Sequence, residues 1–115
     1  MDCIFCKIVA GEIPSTKVYE DDYVLAFKDI KPQAPVHIIL IPKKHEMESL
    51  NDFDRDRDGL TMIHMFSAVK KIAAEQGLEK GYRVISNTGE EAAQTVKHLH
   101  FHILGGIQMA EGFTL

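Results

Sequence analysis

The segment "HLHFHIL", residues 98–104, alternates histidines with large apolar side chains. Because successive side chains of a β-strand point to opposite faces of its sheet, an extended segment places its histidines on one face and its apolar residues on the other. The histidines are His98, His100 and His102, and the apolar residues are Leu99, Phe101 and Ile103. The pattern therefore predicts a strand whose apolar face packs in a core and whose other face carries a row of imidazoles.

Three imidazoles on one face of a strand have three interpretations. They are structural side chains, ligands of a transition metal, or a histidine nucleophile or general acid whose neighbours set its tautomer and charge. Alternate positions on a strand lie about 7 Å apart, so the middle ring of a straight row meets one neighbour more easily than both. The spacing favours chemistry by histidine over a three-ligand metal centre, but it leaves the choice open.

The remainder of the chain alternates short β-rich runs with two helical stretches. β-branched runs bounded by Asp-Asp, Pro and Gly are typical of short strands. The predicted helices are Ile4–Val9 and a long helix within 51–77, and the predicted strands are Val18–Glu20, Val24–Phe27, 36–42, 82–87 and 98–104. This order indicates an α+β fold, with about five strands in an antiparallel sheet, one long helix packed on it and a short N-terminal helix.

The long helix has the charge order that a helix dipole favours, since acidic residues open it and lysines followed by Gly77 close it. Apolar residues recur along it at helical spacing, which predicts a stripe that faces the core. The predicted stripe consists of Leu60, Ile63, Val69 and Ile72. His64 lies on this helix outside any motif, and we interpret it as structural.

Length and composition bound the class of protein. The chain has 115 residues, of which 45% are hydrophobic and 26% charged, and this predicts one globular domain over residues 1–115. It has no apolar run of about 18 residues and no basic segment before an apolar one at its N-terminus, so we expect no membrane span and a cytoplasmic location. Its net charge of −4 argues against a nucleic-acid polymer as partner. A small phosphorylated ligand needs only a few neutral donors.

Most of the chain resembles one known family. "HLHFHIL" is similar to the His-x-His-x-His signature of the histidine triad superfamily, with apolar residues at each x. The stretches "IFCKIVAGEIPSTKVYEDDYVLAFKDIKPQAPVHIILIPKKH" and "GYRVISNTGEEAAQTVKHLHFHILGG" resemble its Hint branch, the purine nucleoside phosphoramidases. The resemblance covers nearly everything from Ile4 to Met109, and it implies the HIT-like fold, which is an α+β fold of the kind described above.

The resemblance implies a hydrolase that binds a purine nucleotide such as AMP and cleaves the bond between the α-phosphate and a leaving group. His100 would be the nucleophile and would form a nucleotidyl-histidine intermediate that water hydrolyses. His102 would donate a hydrogen bond to the α-phosphate, and His37 would support the triad. The main-chain carbonyl of His98 would fix the tautomer of the nucleophile.

Phosphoramidates are the implied substrates, together with acyl-adenylates. Two alternatives stay open at this point. One is a nucleotide- or zinc-binding interaction protein with incidental catalysis, and the other is a dinucleoside polyphosphate hydrolase.

Further contacts to the nucleotide are implied by the same resemblance. Asp29 would bind the ribose hydroxyls. Asn87, Gln94 and Thr95 would contact the phosphate or the leaving group. The implied apolar slot for the base consists of Ile4, Phe5, Ile8, Phe27, Ile30 and Ile39.

The chain departs from the family pattern in two places. Ala92 and Ala93 stand where many Hint relatives have paired glycines, and side chains there would stiffen or reshape the phosphate loop. The tail "AEGFTL" lacks the Trp-containing ending of animal relatives, which influences the choice of leaving group.

Cys3 and Cys6 have the Cys-x-x-Cys spacing of a metal hook, and a redox pair or plain thiols are the alternatives. The absence of a βαβ pattern disfavours a thioredoxin-like role. In some bacterial-type histidine triad proteins such a pair completes a structural zinc with two histidines. The resemblance therefore implies Cys3, Cys6, His45 and His98 as ligands of Zn²⁺ that the chemistry itself does not require, against two reduced thiols. It also implies a homodimer.

Overall fold

The structure is a computed structural model that describes residues 3–113. Its helices are α1 (Ile4–Val9) and α2 (Arg55–Glu75), and its strands are β1 (Lys17–Glu20), β2 (Val24–Lys28), β3 (Val36–Pro42), β4 (Tyr82–Ile85) and β5 (Phe101–Gly105). The strands form one sheet in the order β1-β2-β3-β5-β4, and every neighbouring pair is antiparallel. The predicted α+β fold is therefore confirmed, with its five-stranded antiparallel sheet, its long helix and its short N-terminal helix.

The domain prediction reaches beyond these residues. It includes Met1, Asp2, Thr114 and Leu115, which lie outside the described part of the chain, so a single domain over 1–115 stays a prediction. Between residues 3 and 113, no helix is long and apolar enough to cross a membrane.

Both faces of the sheet are covered, because the central strands are apolar at almost every position. On one face, alternate residues of β2, β3 and β5 pack with the buried side of α2 into the larger core cluster. On the other face, a smaller cluster joins α1 to the sheet, and its buried members are Phe5, Ile8, Leu25, Phe27, Ile39 and Ile41. Leu99, Phe101 and Ile103 belong to the larger cluster, as their alternation with the histidines predicts.

Helix α2 begins later than its acidic sequence suggested and faces the core with different residues. Asp54 caps it by accepting hydrogen bonds from the main-chain N–H groups of Asp56 and Arg57, and Gly77, with φ +73°, ends it. The predicted stripe is half wrong, since Leu60 and Ile63 are 53% and 65% exposed whereas Val69 and Ile72 are buried. The buried side of α2 consists of Asp58, Met62, Met65, Ala68, Val69, Ile72 and Ala73.

The physical reason is angular. Each residue advances about 100° around an α-helix, so Leu60 lies on the side opposite Met62, which is buried, and Ile63 lies about a quarter turn away from it. The methionines take the core positions because their unbranched side chains fill irregular gaps beneath the helix. Apolar spacing alone did not separate the two possible faces.

The histidine strand is shorter than predicted. β5 begins at Phe101, so His98 and His100 precede the strand ladder, and Leu99 instead donates its main-chain N–H to the carbonyl of Met47 at 2.9 Å. β4 likewise ends at Ile85, two residues before the predicted boundary. Both shortenings leave main-chain groups near the histidines available for other partners.

A matched pair of isoleucine substitutions tests the orientation of α2. Ile72→Ala should lower the free energy of unfolding by about 2–5 kcal/mol, because it opens a cavity in the larger core. Ile63→Ala should change it by less than about 0.5 kcal/mol, because that side chain lies in solvent. Urea unfolding of both variants measures the difference, and equal losses would contradict the orientation described.

Candidate active site and adjoining metal-ligand cluster

The histidines lie on the face of the sheet that α1 covers. His37 occupies the β3 face that also carries Ile39 and Ile41, since alternate residues of a strand share a face. His102 is paired with Ile39 across the β3–β5 ladder. Asp29, just beyond β2, approaches His37 with its Oδ2 at 3.3 Å from Nε2. Three separate strands thus bring the predicted polar residues to one place.

The tautomer of His100 is set by a main-chain acceptor. Its Nδ1 lies 2.8 Å from the carbonyl oxygen of His98, and a carbonyl can only accept, so Nδ1 carries the proton. In the neutral ring Nε2 then holds a lone pair, and this nitrogen has no hydrogen-bond partner among the described residues. A buried imidazole with one nitrogen held and the other open is suited to act as a nucleophile.

A second hydrogen-bond chain sets the opposite tautomer in His102. The main-chain N–H of Gln33 donates to His37 Nδ1 at 3.0 Å, which leaves the ring proton of His37 on Nε2. That N–H donates to His102 Nδ1 at 2.8 Å. His102 therefore carries its own proton on Nε2. The two neighbouring rings, with centroids 5.1 Å apart, thus present a lone pair on His100 and an N–H donor on His102.

Burial favours the neutral rings of His37, His98 and His102. It lowers the pKa of His102 to about 4, helped by the nearby His100 and His37 rings. It also lowers the pKa of His37, although the carboxylate of Asp29 opposes the shift. The pKa of His98 falls to about 4 for the same main reason, against the hydrogen bond to Pro42. Since neutral rings keep one donor and one acceptor each, the tautomer chain persists at neutral pH.

Phe5 connects α1 to the histidines. Its ring packs edge-on against His100, with centroids 5.0 Å apart, and against His98 at 5.8 Å. Of the apolar slot that the sequence predicts, Phe5, Ile8, Phe27 and Ile39 are buried together in the smaller cluster. Ile4 is 46% exposed and Ile30 is 92% exposed, so these two remain open to a ligand.

The loop before the histidines is braced from within. Gln94 accepts from the main-chain N–H of Gly89 and donates to the carbonyls of Glu48 and Val96, so its amide is engaged inside the loop. Thr95 is exposed at the surface, and Asn87 is half-buried beyond the end of β4. A ligand reaching this loop would meet Thr95 more readily than the amide of Gln94.

Ala93 has an unusual backbone. Among residues 3–113 it is the one non-glycine residue with a positive φ, which is +56°. The methyl group of alanine disfavours this left-handed conformation by about 1–2 kcal/mol. The departure from paired glycines noted in the sequence therefore places a strained residue in the loop next to Gln94.

The second group of predicted residues also comes together. Cys3, Cys6, His45 and His98 each offer a ligand atom, and these atoms all lie within 4.8 Å of one another. His98 Nδ1 is 3.4 Å from Cys3 Sγ and 3.6 Å from Cys6 Sγ, and His45 Nδ1 is 3.2 Å from Cys6 Sγ. Ligands of tetrahedral zinc at bond lengths of about 2.0–2.3 Å are separated from one another by about 3.3–3.8 Å.

The tautomers of this cluster suit a metal. His98 Nε2 donates to the carbonyl of Pro42 at 2.8 Å, and His45 Nε2 donates to the carbonyl of Lys97, so both rings turn an Nδ1 lone pair toward the sulfurs. Without a cation, burial and the neighbouring Cys3 thiol raise the pKa of Cys6 to about 11, and a bound metal would reverse this by stabilising the thiolate. Two soft sulfurs and two imidazoles form a zinc-type donor set.

The nearby trio of Asp29, His37 and His102 is close enough to hold an ion but does not suit one. The lone pair of His37 Nδ1 already accepts from Gln33, so its Nε2 carries a proton and points it at His102. A metal at that nitrogen would displace the proton to Nδ1, where it would oppose the N–H of Gln33. We therefore assign this trio to hydrogen bonding.

One cleft adjoins the metal-ligand cluster, and a larger cleft lies on another part of the protein. A cleft of about 390 Å³ is lined by Cys3, Ile4, His45, Glu48, Thr95, Val96 and Lys97, and it connects the metal-ligand cluster with the loop at Thr95. A larger cleft of about 850 Å³ lies between the α2–β4 turn and residues 106–111 and contains no histidine. The smaller cleft is therefore the one that reaches the metal-ligand cluster, although neither cleft is lined by His100 or His102.

The sequence reasoning missed several partners of the histidines. Pro42 and Lys97 contribute main-chain carbonyls, and Gln33 contributes a main-chain N–H. Every residue carries such groups, so no side-chain pattern reveals them. Ser86, whose hydroxyl donates to the carbonyl of His100, is a side chain that the reasoning also missed. Its place just after β4 was the available signal.

The geometry agrees with the results of comparison with known proteins. The family described as "HIT domain" matches residues 10–109. An uncharacterised HIT-like protein of Synechococcus elongatus is 50% identical over 109 residues, which are 95% of this chain and 94% of that protein. A 14 kDa zinc-binding protein of Brassica juncea is 44% identical, with 94% and 96% of the two chains covered.

The fold is also similar to those of solved structures in this family. A HIT family hydrolase from Clostridium thermocellum superposes with a TM-score of 0.93 at 45% identity, covering 98% of this chain and 97% of that one. The chain belongs to the HIT domain family, and the resemblance seen in its histidine motif is confirmed.

The strained loop gives a stability test with a matched control. Ala93→Gly should raise the free energy of unfolding by about 0.5–1 kcal/mol, because glycine adopts a positive φ without a steric penalty. Ala92→Gly should lower it by about 0.5 kcal/mol, because glycine there only adds freedom to the unfolded chain. Thermal and urea unfolding decide between these signs. A loss of stability in both variants would contradict the strain assigned to Ala93.

Proposed function

We propose that the protein is a hydrolase that cleaves the bond between the α-phosphate and the amine of purine nucleoside phosphoramidates, with His100 as the nucleophile. One observation carries the proposal. The Nδ1–H of His100 is held by the carbonyl of His98, so the lone pair of the neutral ring is on Nε2, the nitrogen that has no partner in the described chain.

The reaction that this arrangement supports has two steps. His100 Nε2 attacks the α-phosphorus, the P–N bond of the substrate breaks, and the leaving amine takes up a proton from solvent water. A second water then attacks the phosphorus of the nucleotidyl-histidine and loses a proton to solvent, and the bond between phosphorus and Nε2 breaks. This releases the nucleoside monophosphate and restores the neutral ring. The Nε2–H of His102 is placed by the Gln33–His37–His102 chain to donate to a phosphate oxygen on which negative charge builds.

The family supports the general part of this proposal. Similar proteins of known structure are described as HIT family hydrolases, including one from Legionella pneumophila at 47% identity. A structure from Candida albicans at 35% identity is described as a histidine triad nucleotide-binding protein. Hydrolysis of a bound nucleotide follows from the class. The phosphoramidate, and acyl-adenylates as further substrates, are our more specific proposal.

The nucleotide contacts are also proposed. Asp29 lies beside His37 and accepts from the main-chain N–H of Lys31 through Oδ1, while Oδ2 faces the histidines, so its carboxylate is oriented for a ribose hydroxyl. Asn87, Gln94 and Thr95 would serve the phosphate side. The base would lie against the exposed Ile4 and Ile30, over the buried cluster of Phe5, Ile8, Phe27 and Ile39.

The decisive experiment removes the nucleophile. His100→Ala should lower the kcat for adenosine 5′-phosphoramidate by at least about a thousandfold, because no other described nitrogen occupies its position. His64→Ala is the matched control, because this histidine bonds to Asp21 on another part of the protein, and it should keep the parental rate. Rapid quenching followed by mass spectrometry should detect the nucleotidyl adduct on His100.

The alternatives give different results. Nucleotide binding without turnover in the parent protein would favour an interaction protein. Faster turnover of a dinucleoside polyphosphate than of the phosphoramidate would favour the polyphosphate hydrolase. Undiminished hydrolysis by His100→Ala would reject the mechanism altogether.

We further propose that Cys3, Cys6, His45 and His98 bind Zn²⁺. The support is the converging donor set with both Nε2–H groups anchored on carbonyls, together with relatives named 14 kDa zinc-binding proteins from Brassica juncea and Zea mays. Bound zinc would tie α1 to the sheet and stabilise the fold.

Zinc content tests this ligand set. The protein purified without chelators should contain about one zinc per chain, and Cys6→Ser should lose most of it, because hydroxyls are poor zinc ligands. Elemental analysis measures the content, and Ser49→Ala, which leaves the donor set intact, serves as the control. A parent protein free of zinc after growth in zinc-containing medium would reject the site.

We propose a homodimer that forms through strand β4. This strand is at an edge of the sheet, and its outer side pairs with no strand in the described chain. Tyr82, Val84 and Ile85 are each more than a third exposed, so the edge is apolar as well as unpaired. Such an edge is a template for pairing with a second copy.

The dimer proposal is tested by sedimentation. The parent protein should sediment as a dimer, and Val84→Lys should shift it toward the monomer, because a charge on an edge strand opposes pairing. Leu50→Lys, a similar change at an exposed position in the short 3₁₀ helix Leu50–Asp52 before α2, should leave the dimer intact. A parent protein that is monomeric at micromolar and millimolar concentrations would contradict the proposal.

A further inference from the structure

His98 belongs to both groups of residues. Its Nδ1 lies among the sulfurs of Cys3 and Cys6, and its own main-chain carbonyl accepts the Nδ1–H of His100. The side chain is fully buried, with Nε2 fixed on the carbonyl of Pro42. The metal-ligand cluster and the nucleophile therefore meet in a single residue.

The backbone around His98 has few other restraints. It precedes β5, so it takes no part in the β3–β5 ladder, which starts at Phe101. Its neighbours are held by isolated bonds: Lys97 by His45 Nε2, and Leu99 by the carbonyl of Met47. His45 is itself in the cluster. Two ligand side chains thus anchor the segment that presents the carbonyl to the nucleophile.

Helix α1 adds a third connection. Phe5 lies between the two cysteines in sequence, and its ring packs against both His98 and His100. Both cysteines lie at the start of α1, where Cys3 is also the N-cap residue, and their sulfurs approach His98. A change in the cluster would therefore reach the His100 ring through a side-chain contact as well as through the main chain.

We propose that Cys3, Cys6 and His45 are positioning residues for the reaction, which act through His98 when the cluster holds Zn²⁺. Cys3, Cys6 and His45 would hold a bound ion against Nδ1 of His98, and this would fix the His98 ring and hence the carbonyl that keeps the proton of His100 on Nδ1 and its lone pair on Nε2. This inference rests on the proposed function and on the proposed zinc. It goes beyond both, because it gives the metal-ligand cluster a role in the orientation of the nucleophile.

The full chain should be compared with Zn²⁺ bound and after chelation. Long-range ¹H–¹⁵N NMR of histidine-labelled protein, in alkaline buffer where imidazoles are neutral, reports the tautomer of His100. The zinc-loaded protein should show one tautomer with the proton on Nδ1, and the chelated protein should show both. The kcat for adenosine 5′-phosphoramidate should fall by about 10- to 100-fold on chelation with KM nearly unchanged. Adding Zn²⁺ back should restore the single His100 tautomer and the parental kcat.

A pair of histidine variants separates positioning from general destabilisation. His45→Ala removes one ligand and the donor to Lys97, and it should reproduce the NMR and kinetic changes of the chelated protein. His64→Ala removes a histidine that bonds to Asp21, and it should retain the single His100 tautomer and the parental kcat. Circular dichroism confirms that each protein is folded at the assay temperature.

A folded, chelated protein that keeps one His100 tautomer and the parental kcat would overturn the inference. If chelation unfolds the chain, Cys3→His replaces it as the test, because it keeps a zinc ligand but changes its reach. A folded, zinc-loaded Cys3→His protein with parental tautomer and kcat would also overturn it. Loaded parent protein without turnover would instead contradict the proposed function, and the NMR comparison would still decide the positioning.

Discussion

A neutral imidazole has one N–H that needs an acceptor and one lone pair that is free to accept, and this requirement organises the whole site. His45, His98 and His100 each place their N–H on a main-chain carbonyl. His37 accepts from a main-chain N–H and donates its own N–H to His102. Which ring nitrogen faces a ligand is therefore decided by the backbone. These hydrogen bonds leave two Nδ1 lone pairs facing the cysteines, one Nε2 lone pair on His100 and one Nε2–H on His102.

The backbone can set these tautomers because the sheet is covered on both faces. Helix α2 packs on one side, and α1 packs on the other through the smaller cluster around Phe5 and Phe27. The covered position shields the histidines from water, which strengthens their hydrogen bonds and lowers the pKa values of His37, His98 and His102. It also makes the short helix α1 important for chemistry, since the helix and its N-cap residue together carry Cys6, Cys3 and the Phe5 ring that contacts His100.

Much of this could be predicted from the sequence, and the failures have identifiable physical causes. The bounds of α1, the central strands and the two faces of the histidine segment followed from local periodicity, which is a strong signal in a covered sheet. The core side of α2 did not, because Leu60 and Ile63 are as apolar as the residues beneath the helix. The structure brings Asp29 close to His37 and His102, and Cys3 and Cys6 close to two further histidines, but the roles of these residues stay predictions. The carbonyls of Pro42 and Lys97 carry no sequence signal. The strain at Ala93 depends on a loop conformation that composition does not encode.

The late start of β5 connects these points. Alternation predicted a strand from His98, and a regular ladder would have continued to the end of β3 and beyond. In a ladder, main-chain carbonyls are engaged by the neighbouring strand, so the carbonyl of His98 would have been less available to His100. Because the ladder begins at Phe101, residues 98–100 do not pair regularly with β3. Hydrogen bonds donated by the main chain of Leu99 and by the side chains of His98 and His45 take the place of that pairing. A departure from local regularity at a functional site is what competing demands on the same backbone groups would produce.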